Sequence, residues 1–124
     1  MDKRRVDEYI PKAYDAIKKC DILKDQKIPN GFRGQIAAFG AMVAMGSILS
    51  AIALYNNQGD SLVDRSKLIK AIAYIVMGED FGEKDLFFYV QKKIKEKNEK
   101  NVKEKILDAA IAIKLAMNLY EIEK

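Results

Sequence analysis

The chain has 124 residues, of which 49% are apolar and 32% charged, and its formal net charge is +4. This length and balance predict one globular domain spanning residues 1–124. One cysteine excludes an internal disulfide, and the lack of histidine removes the usual general base and the usual zinc ligand. We therefore expect a protein that is not an enzyme, with no catalytic residue, metal site or cofactor. The charged N-terminus, which lacks the apolar segment of a signal peptide, and the single cysteine indicate the cytoplasm.

The first predicted helix runs from Asp2 to about Lys24. Its apolar residues recur at helical spacing and form one stripe: Val6, Tyr9, Ile10, Ala13, Ile17 and Cys20. Pro11 interrupts the pattern, because proline removes one helical hydrogen bond and can kink a helix. We expect it to bend this helix, or to start a new one near Asp7. The stripe indicates that one face of the helix is buried.

The next stretch, Gly34–Asn57, carries no charge and is rich in alanine and glycine. A run that is apolar on all sides belongs either at the centre of a helical protein or in a membrane. Its many small residues would contact lipid tails poorly but would let neighbouring helices approach closely. A membrane span would also leave the other amphipathic helices without a partner. We therefore predict a central buried helix and no membrane contact.

The turn before this run, Pro29-Asn30-Gly31, leads into Arg33. The free N–H groups of a helix start beside an arginine could hold a phosphate. A plain connector is the alternative, which we favour because loops of this kind are common.

A third helix is expected to begin at the capping pattern Ser61-x-x-Asp64 and to end at Gly78. Lys67, Lys70 and Tyr74 share its outer face, because they are spaced by three and four residues. Two cations beside an aromatic ring can bind a phosphate and stack a base. The alternative is an ordinary solvated face.

The remaining chain predicts two more helices. Asp80 and Glu83 repeat the capping pattern ahead of one helix, and the other covers about Val102–Ile122 and is nearly uncharged in its second half. We expect this last helix to pack on the central one, unless a partner protein buries part of it. Between them lies a lysine-rich run, residues 91–105, which is typical of a solvated surface. The fold class is therefore all-α, a compact bundle of five to six helices around the alanine- and glycine-rich central helix.

Five segments together resemble a known family: RRVDEYIPKA (4–13), GFRGQIAAFGAMV (31–43), AIALY (51–55), DRSKLIKAIAYI (64–75) and IAIKLAMNLYEIE (111–123). Their order and spacing are similar to those of the small helical subunit of type III-B (Cmr-type) CRISPR effector complexes. Members often carry a proline at the position of Ser50, and its absence could let the central helix run straight. The lysine-rich run is not a feature of the family.

The resemblance implies a compact, non-catalytic subunit that acts in antiviral RNA silencing. Copies of it would stack with the large subunit into a filament along the guide RNA and the target RNA, beside the backbone subunits that cleave the target. Such a subunit would hold RNA through its phosphates without reading sequence. Mapped onto this chain, the expected phosphate contacts are Arg33, Arg65 and Lys67, followed by Lys70, Arg5 and Lys19.

Three rival interpretations remain open at this stage. The first is a helical protein-interaction scaffold whose lysines only keep it in solution, without RNA contact. The second is the small subunit of the related type III-A complex, although the DRSK and FRG segments favour type III-B. The third is a single-pass membrane protein.

Overall fold

The structure is a computed structural model that describes residues 1–59, 61–82 and 85–124. In these ranges it contains six α-helices, one short 3₁₀-helix and two short strands. The helices are α1 (Lys3–Lys19), α2 (Phe32–Met45), α3 (Ile48–Tyr55), α4 (Ser66–Met77), α5 (Leu86–Lys95) and α6 (Glu99–Met117). The prediction of an all-α bundle of five to six helices is confirmed.

All six helices contribute to one hydrophobic core. Helices α1 and α6 pack against each other over much of their length, and both also contact α4. Helix α2 packs on α6, as expected from the nearly uncharged second half of the last helix. Helix α5 lies against α3, α4 and α6. This arrangement places the outer face of α4 next to the C-terminal half of α1, where the candidate site is found.

Pro11 does not divide the first helix, because α1 is continuous across it. Both Pro11 and Asp7, whose carbonyl loses its helical hydrogen bond, lie on the exposed face, where water can replace the missing donor. The helix ends at Lys19 and not near Lys24 as predicted. Asp21 has a φ of 60° and terminates it with a left-handed turn, in which the Ile22 N–H donates to the carbonyl of Ile17 at 3.2 Å.

The uncharged stretch forms two helices, α2 and α3, in place of the single helix predicted. The chain breaks at Gly46, and the hydroxyl of Ser47 then caps α3 by accepting from the N–H of Ser50 at 3.2 Å. The absence of proline at position 50 therefore does not produce a straight helix. Only one stripe of α2 is buried: Phe32, Ile36, Phe39 and Val43.

The opposite face of α2 is exposed, so this segment is not buried on all sides as predicted. Alanine has little apolar surface, and its exposure therefore costs little free energy. Ala37, Ala41 and Ala44 line a shallow groove of about 340 Å³ beside α6. No helix in the described ranges is long and apolar enough to cross a membrane.

The later boundaries also differ from the sequence prediction. Helix α4 starts at Ser66, after the carboxylate of Asp64 has accepted bonds from the backbone N–H and the hydroxyl of Ser66. It ends at Gly78, as predicted, with a φ of 58°. The N-cap of α5 is Asp85, whereas Asp80 lies in the 3₁₀-helix and Glu83 lies outside the described residues.

The last helix ends at Met117, five residues before its predicted end. The tail then turns back and pairs in parallel with the segment before α2, as strands β1 (Lys27–Ile28) and β2 (Glu121–Ile122). The ring of Tyr120 stacks on Tyr14 at 4.6 Å, and its hydroxyl donates to the carbonyl of Tyr14 at 2.8 Å. Burial, the first cause, and the neighbouring Tyr14 raise the pKa of Tyr120 to about 12.

Candidate nucleic-acid interface

The C-terminal half of α1 and the outer face of α4 form a basic surface around one aromatic ring. We define this α1/α4 surface by Lys19, Lys67, Lys70 and Tyr74. The ammonium of Lys19 donates to the hydroxyl of Tyr74 at 3.1 Å and lies 5.2 Å from the centre of its ring. This hydrogen bond raises the pKa of Lys19, so the side chain stays charged over the physiological range.

The other two lysines stand one and two helical turns before Tyr74. Lys67 is 3.6 Å from the carboxylate of Asp21, the residue that ends α1. Lys70 is exposed and lies close enough to Cys20 to lower the pKa of that thiol, although burial, the larger effect, raises it to about 11. Three of the six residues predicted from the sequence are therefore brought together, from two different helices.

This arrangement can bind an anion at little cost. The Asp21 side chain is 88% exposed, and exposed ion pairs contribute only about 0–1 kcal/mol. A phosphate could therefore take the place of Asp21 beside Lys67. Lysine binds phosphate as a compact point charge without fixed directionality, which suits contact with a nucleic-acid backbone irrespective of sequence.

Arg5, in contrast, is engaged inside the protein. Its Nη1 donates to the carboxylate of Asp108 on α6 at 3.1 Å. Asp108 is 1% exposed and is the one buried charged residue in the described part of the chain. The backbone N–H of Asp2 makes a second, longer contact of 3.4 Å to the same carboxylate. Arg5 therefore joins the N-terminus of α1 to α6, and it lies away from the α1/α4 surface.

Arg65 is also held by protein groups. Its guanidinium donates to the carbonyls of Leu54 and Asn57, both at 3.1 Å, at the C-terminal end of α3. It also lies 4.8 Å from the centre of the Tyr55 ring. A cation at this position satisfies carbonyls that have no partner within the helix and interacts favourably with the helix dipole. Arg65 is only two residues from Lys67 in the sequence, but its guanidinium lies at the end of α3 and not on the α1/α4 surface.

Arg33 lies at the start of α2, where its guanidinium donates to the side chain of Asn118 at 3.2 Å. The nearby backbone N–H of Asn30 donates to the carboxylate of Glu123 at 3.3 Å, so the C-terminal tail already supplies an anion beside this helix start. A cavity next to it is lined by two carboxylates, Asp21 and Asp64, and by Lys67, but not by Arg33. This setting agrees with a connector better than with a phosphate site.

The lysine-rich run 91–105 forms the corner between α5 and α6. Helix α5 ends at Lys95, Lys97 takes a φ of 63°, and α6 begins at Glu99. In the described ranges its one internal ion pair joins Lys93 to Glu96 at 3.6 Å. The run is thus mostly exposed helix end and turn, as its composition indicates.

Sequence reasoning missed Phe81, which extends the aromatic part of the α1/α4 surface. Its ring meets Tyr74 edge-on, with 5.4 Å between the ring centres. Phe81 follows the 3₁₀-helix and belongs to no helical stripe, so spacing gave no signal for it. Contacts between a lysine and a tyrosine three residues apart on one helix can be predicted from the sequence. Lys12, for example, lies 5.7 Å from the centre of the Tyr9 ring.

Comparisons with known proteins found no relative of this chain. No protein-family model matches the chain, and no match was found among curated proteins or among solved structures. The proposal below is therefore supported by the sequence segments and by the geometry of the α1/α4 surface.

Proposed function

We propose that this chain is a non-catalytic small subunit of a type III-B CRISPR effector complex, and that it binds the phosphate backbone of guide or target RNA without reading sequence. The five ordered segments support the family, and the α1/α4 surface supports the activity. The observation that carries the proposal is the contact of Lys19 on α1 with Tyr74 on α4, the helix that carries Lys67 and Lys70 at helical spacing from the same tyrosine.

The chemistry of this surface matches single-stranded or exposed backbone better than a base-reading groove. It has three ammonium groups and one aromatic ring, and none of its four defining side chains is an arginine with the planar donor fork of that residue. Phosphate contacts made by lysine position a nucleic acid, whereas base contacts specify its sequence. The large subunit, the backbone subunits and further copies of the chain are the proposed protein partners.

The proposed interface contains fewer phosphate-binding residues than the six expected from the sequence. Lys19, Lys67 and Lys70 remain as phosphate contacts. Arg5 and Arg65 have internal protein partners, and Arg33 donates to the side chain of Asn118. We assign these three arginines structural roles.

The proposal is tested by reversing the charge of Lys67 and Lys70. Lys67→Glu/Lys70→Glu should weaken binding of labelled single-stranded RNAs by a similar factor whatever their sequence, because phosphates are the contacted groups. Lys100→Glu/Lys103→Glu is the matched control, since it has the same spacing and also lowers the net charge from +4 to 0. If the control weakens binding as much as the test pair, a general charge effect explains the result and the α1/α4 surface is not the site.

A helical protein-interaction scaffold without RNA contact is the second candidate, and the exposed, alanine-rich face of α2 favours it. This alternative predicts no RNA binding at any salt concentration. It also predicts that Ala41→Lys, a charge placed in the groove beside α6, abolishes co-purification with the other complex subunits. The RNA-binding proposal predicts that Ala41→Lys leaves RNA affinity unchanged.

A further inference from the structure

A cavity of about 520 Å³ opens between α4 and α5, next to the α1/α4 surface. This volume is within the range of sites that hold small organic ligands. Its apolar floor is formed by Ile69, Ala73 and Leu86, all of them buried. Lys70 lines the cavity and also belongs to the α1/α4 surface, so the two features share one cation.

One wall of the cavity is aromatic. Phe81 is 40% exposed although it is a large apolar side chain, and it lines the opening. Its edge-on contact with Tyr74 orients the ring, and Tyr74 in turn accepts the hydrogen bond from Lys19. A partly exposed aromatic ring that shares a cavity with a lysine is a combination with which proteins bind single-stranded nucleic acid, by stacking a base and pairing its phosphate.

Four polar side chains line the cavity: Asn56, Ser66, Lys70 and Asp85. Asp85 caps α5 through one carboxylate oxygen, which accepts from the N–H of Phe88 at 3.0 Å, and this leaves the second oxygen as an acceptor. Asn56 offers an amide with both a donor and an acceptor. An apolar slot with one aromatic wall and polar groups that both donate and accept fits a flat heterocycle better than an aliphatic side chain.

We propose that this cavity holds one unstacked nucleobase of a single-stranded RNA whose phosphates lie on the α1/α4 surface. This inference rests on the proposed RNA binding, but not on the CRISPR family. The base enters against Phe81, and Lys70 binds the phosphate of the same nucleotide. Stacking accepts any base, since every base has a π-face, so the cavity adds affinity without strict sequence preference.

The test compares two labelled 12-nucleotide probes by fluorescence anisotropy at low salt: oligouridine, and a ribose-phosphate oligomer that lacks bases. Phe81→Ala should weaken oligouridine binding about 5- to 150-fold, as expected for loss of one stacked base, and should leave the abasic probe unaffected. Lys70→Glu should weaken both probes. Phe88→Ala is the control, because Phe88 is exposed but does not line the cavity. If Phe81→Ala does not fold, Phe81→Leu provides the same comparison without an aromatic ring.

Each other outcome has a defined meaning. Equal affinity of the wild-type protein for both probes, or an oligouridine affinity that Phe81→Ala leaves unchanged, overturns the nucleobase site but leaves the phosphate interface intact. Binding of neither probe contradicts the proposed RNA-binding function and this inference with it. Uridine monophosphate that binds as tightly as oligouridine, and depends equally on Phe81, would identify a free nucleotide as the ligand and overturn the assignment to a strand.

As a second readout, methyl resonances of Ile69 and Leu86 at the cavity floor should shift on addition of oligouridine. They should not shift with the abasic probe. Shifts with both probes, or with neither, contradict the presence of a base in the cavity.

Discussion

In the buried ion pair between Arg5 and Asp108, loss of the arginine should destabilise the protein more than neutralisation of the aspartate. Asp108 is 1% exposed, whereas the Arg5 side chain is 21% exposed and can also reach the carboxylate of Asp2 at 3.9 Å. Removal of arginine therefore leaves a buried carboxylate whose one remaining hydrogen bond among the described residues is the 3.4 Å contact from the Asp2 N–H. Neutralisation of the aspartate leaves a cation that can turn towards water.

Arg5→Met should consequently lower the free energy of unfolding by about 3–5 kcal/mol, the cost of leaving a buried charge without its partner. Asp108→Asn should cost less, about 1–3 kcal/mol, since only hydrogen-bond partners are lost. Arg5→Met/Asp108→Leu replaces both partners with apolar groups and should recover most of the loss, because a buried pair often contributes little over a well-packed apolar substitute. The free energies come from urea unfolding followed by circular dichroism, as a double-mutant cycle.

A loss below about 1 kcal/mol for Arg5→Met would refute this reasoning, because that value is typical of an exposed pair. A double variant no more stable than Arg5→Met would refute it as well. The cycle also bears on function. Folded Arg5→Met should keep its RNA affinity, since Arg5 is assigned to the joint between α1 and α6 and not to the interface.

Three further predictions concern single residues. Burial raises the pKa of Cys20 to about 11 from an ordinary value of 9.0, so at pH 8 its thiolate population is about 100-fold lower than that of a free thiol, and thiol reagents should label it rapidly only after unfolding. The raised pKa also means that Cys20 contributes stability that is present below pH 9 and is lost as the pH rises towards 11. In Cys20→Ala the free energy of unfolding should therefore fall less steeply between pH 9 and pH 11 than in the wild-type protein. An unchanged pH dependence would contradict this prediction. Ser47→Ala should cost about 1 kcal/mol through loss of the α3 cap, whereas the exposed Ser50→Ala should cost little; equal urea midpoints for the two variants would contradict the cap. Arg65→Ala should destabilise by about 1–3 kcal/mol without changing RNA affinity, and a loss of affinity in the folded variant would return Arg65 to the interface.

Helical spacing predicted much of the fold. It predicted a stripe on α1 that is buried except for the half-buried Ile10. It also predicted a stripe of Leu68, Ile69, Ile72, Ile75 and Val76 on α4, which is buried except for the half-buried Val76. It also located the end of α4 at Gly78, since glycine adopts positive φ without a steric cost. These features depend on local periodicity and backbone preference, which a single sequence records directly.

The break between α2 and α3 could not be read from periodicity, because an uncharged run has no polar face to reveal which side is buried. Gly46 and Ser47 were visible in the sequence, but both also occur inside helices. The strands β1 and β2 contain two residues each, which is too short for an alternating pattern. The end of α1 depends on Asp21 in a left-handed conformation that glycine or asparagine usually adopts.

The candidate site was predictable only where its residues share a helix. Spacing placed Lys67, Lys70 and Tyr74 on one face, whereas the contact of Lys19 with Tyr74 requires the packing of α1 on α4. The internal partners of Arg5 and Arg65 are far away in sequence or lie on another helix. The sequence showed only the charge of these arginines, which is why both were predicted to contact phosphates.

The salt dependence of RNA binding tests the central claim most directly. Each phosphate contact to a single strand contributes about −0.7 to the slope of log affinity against log salt concentration. Lys67→Gln/Lys70→Gln should therefore flatten the slope by about 1.4, whereas Lys100→Gln/Lys103→Gln should leave it unchanged. An unchanged slope in the first variant would show that Lys67 and Lys70 do not contact RNA phosphates, and it would contradict the interface proposed here.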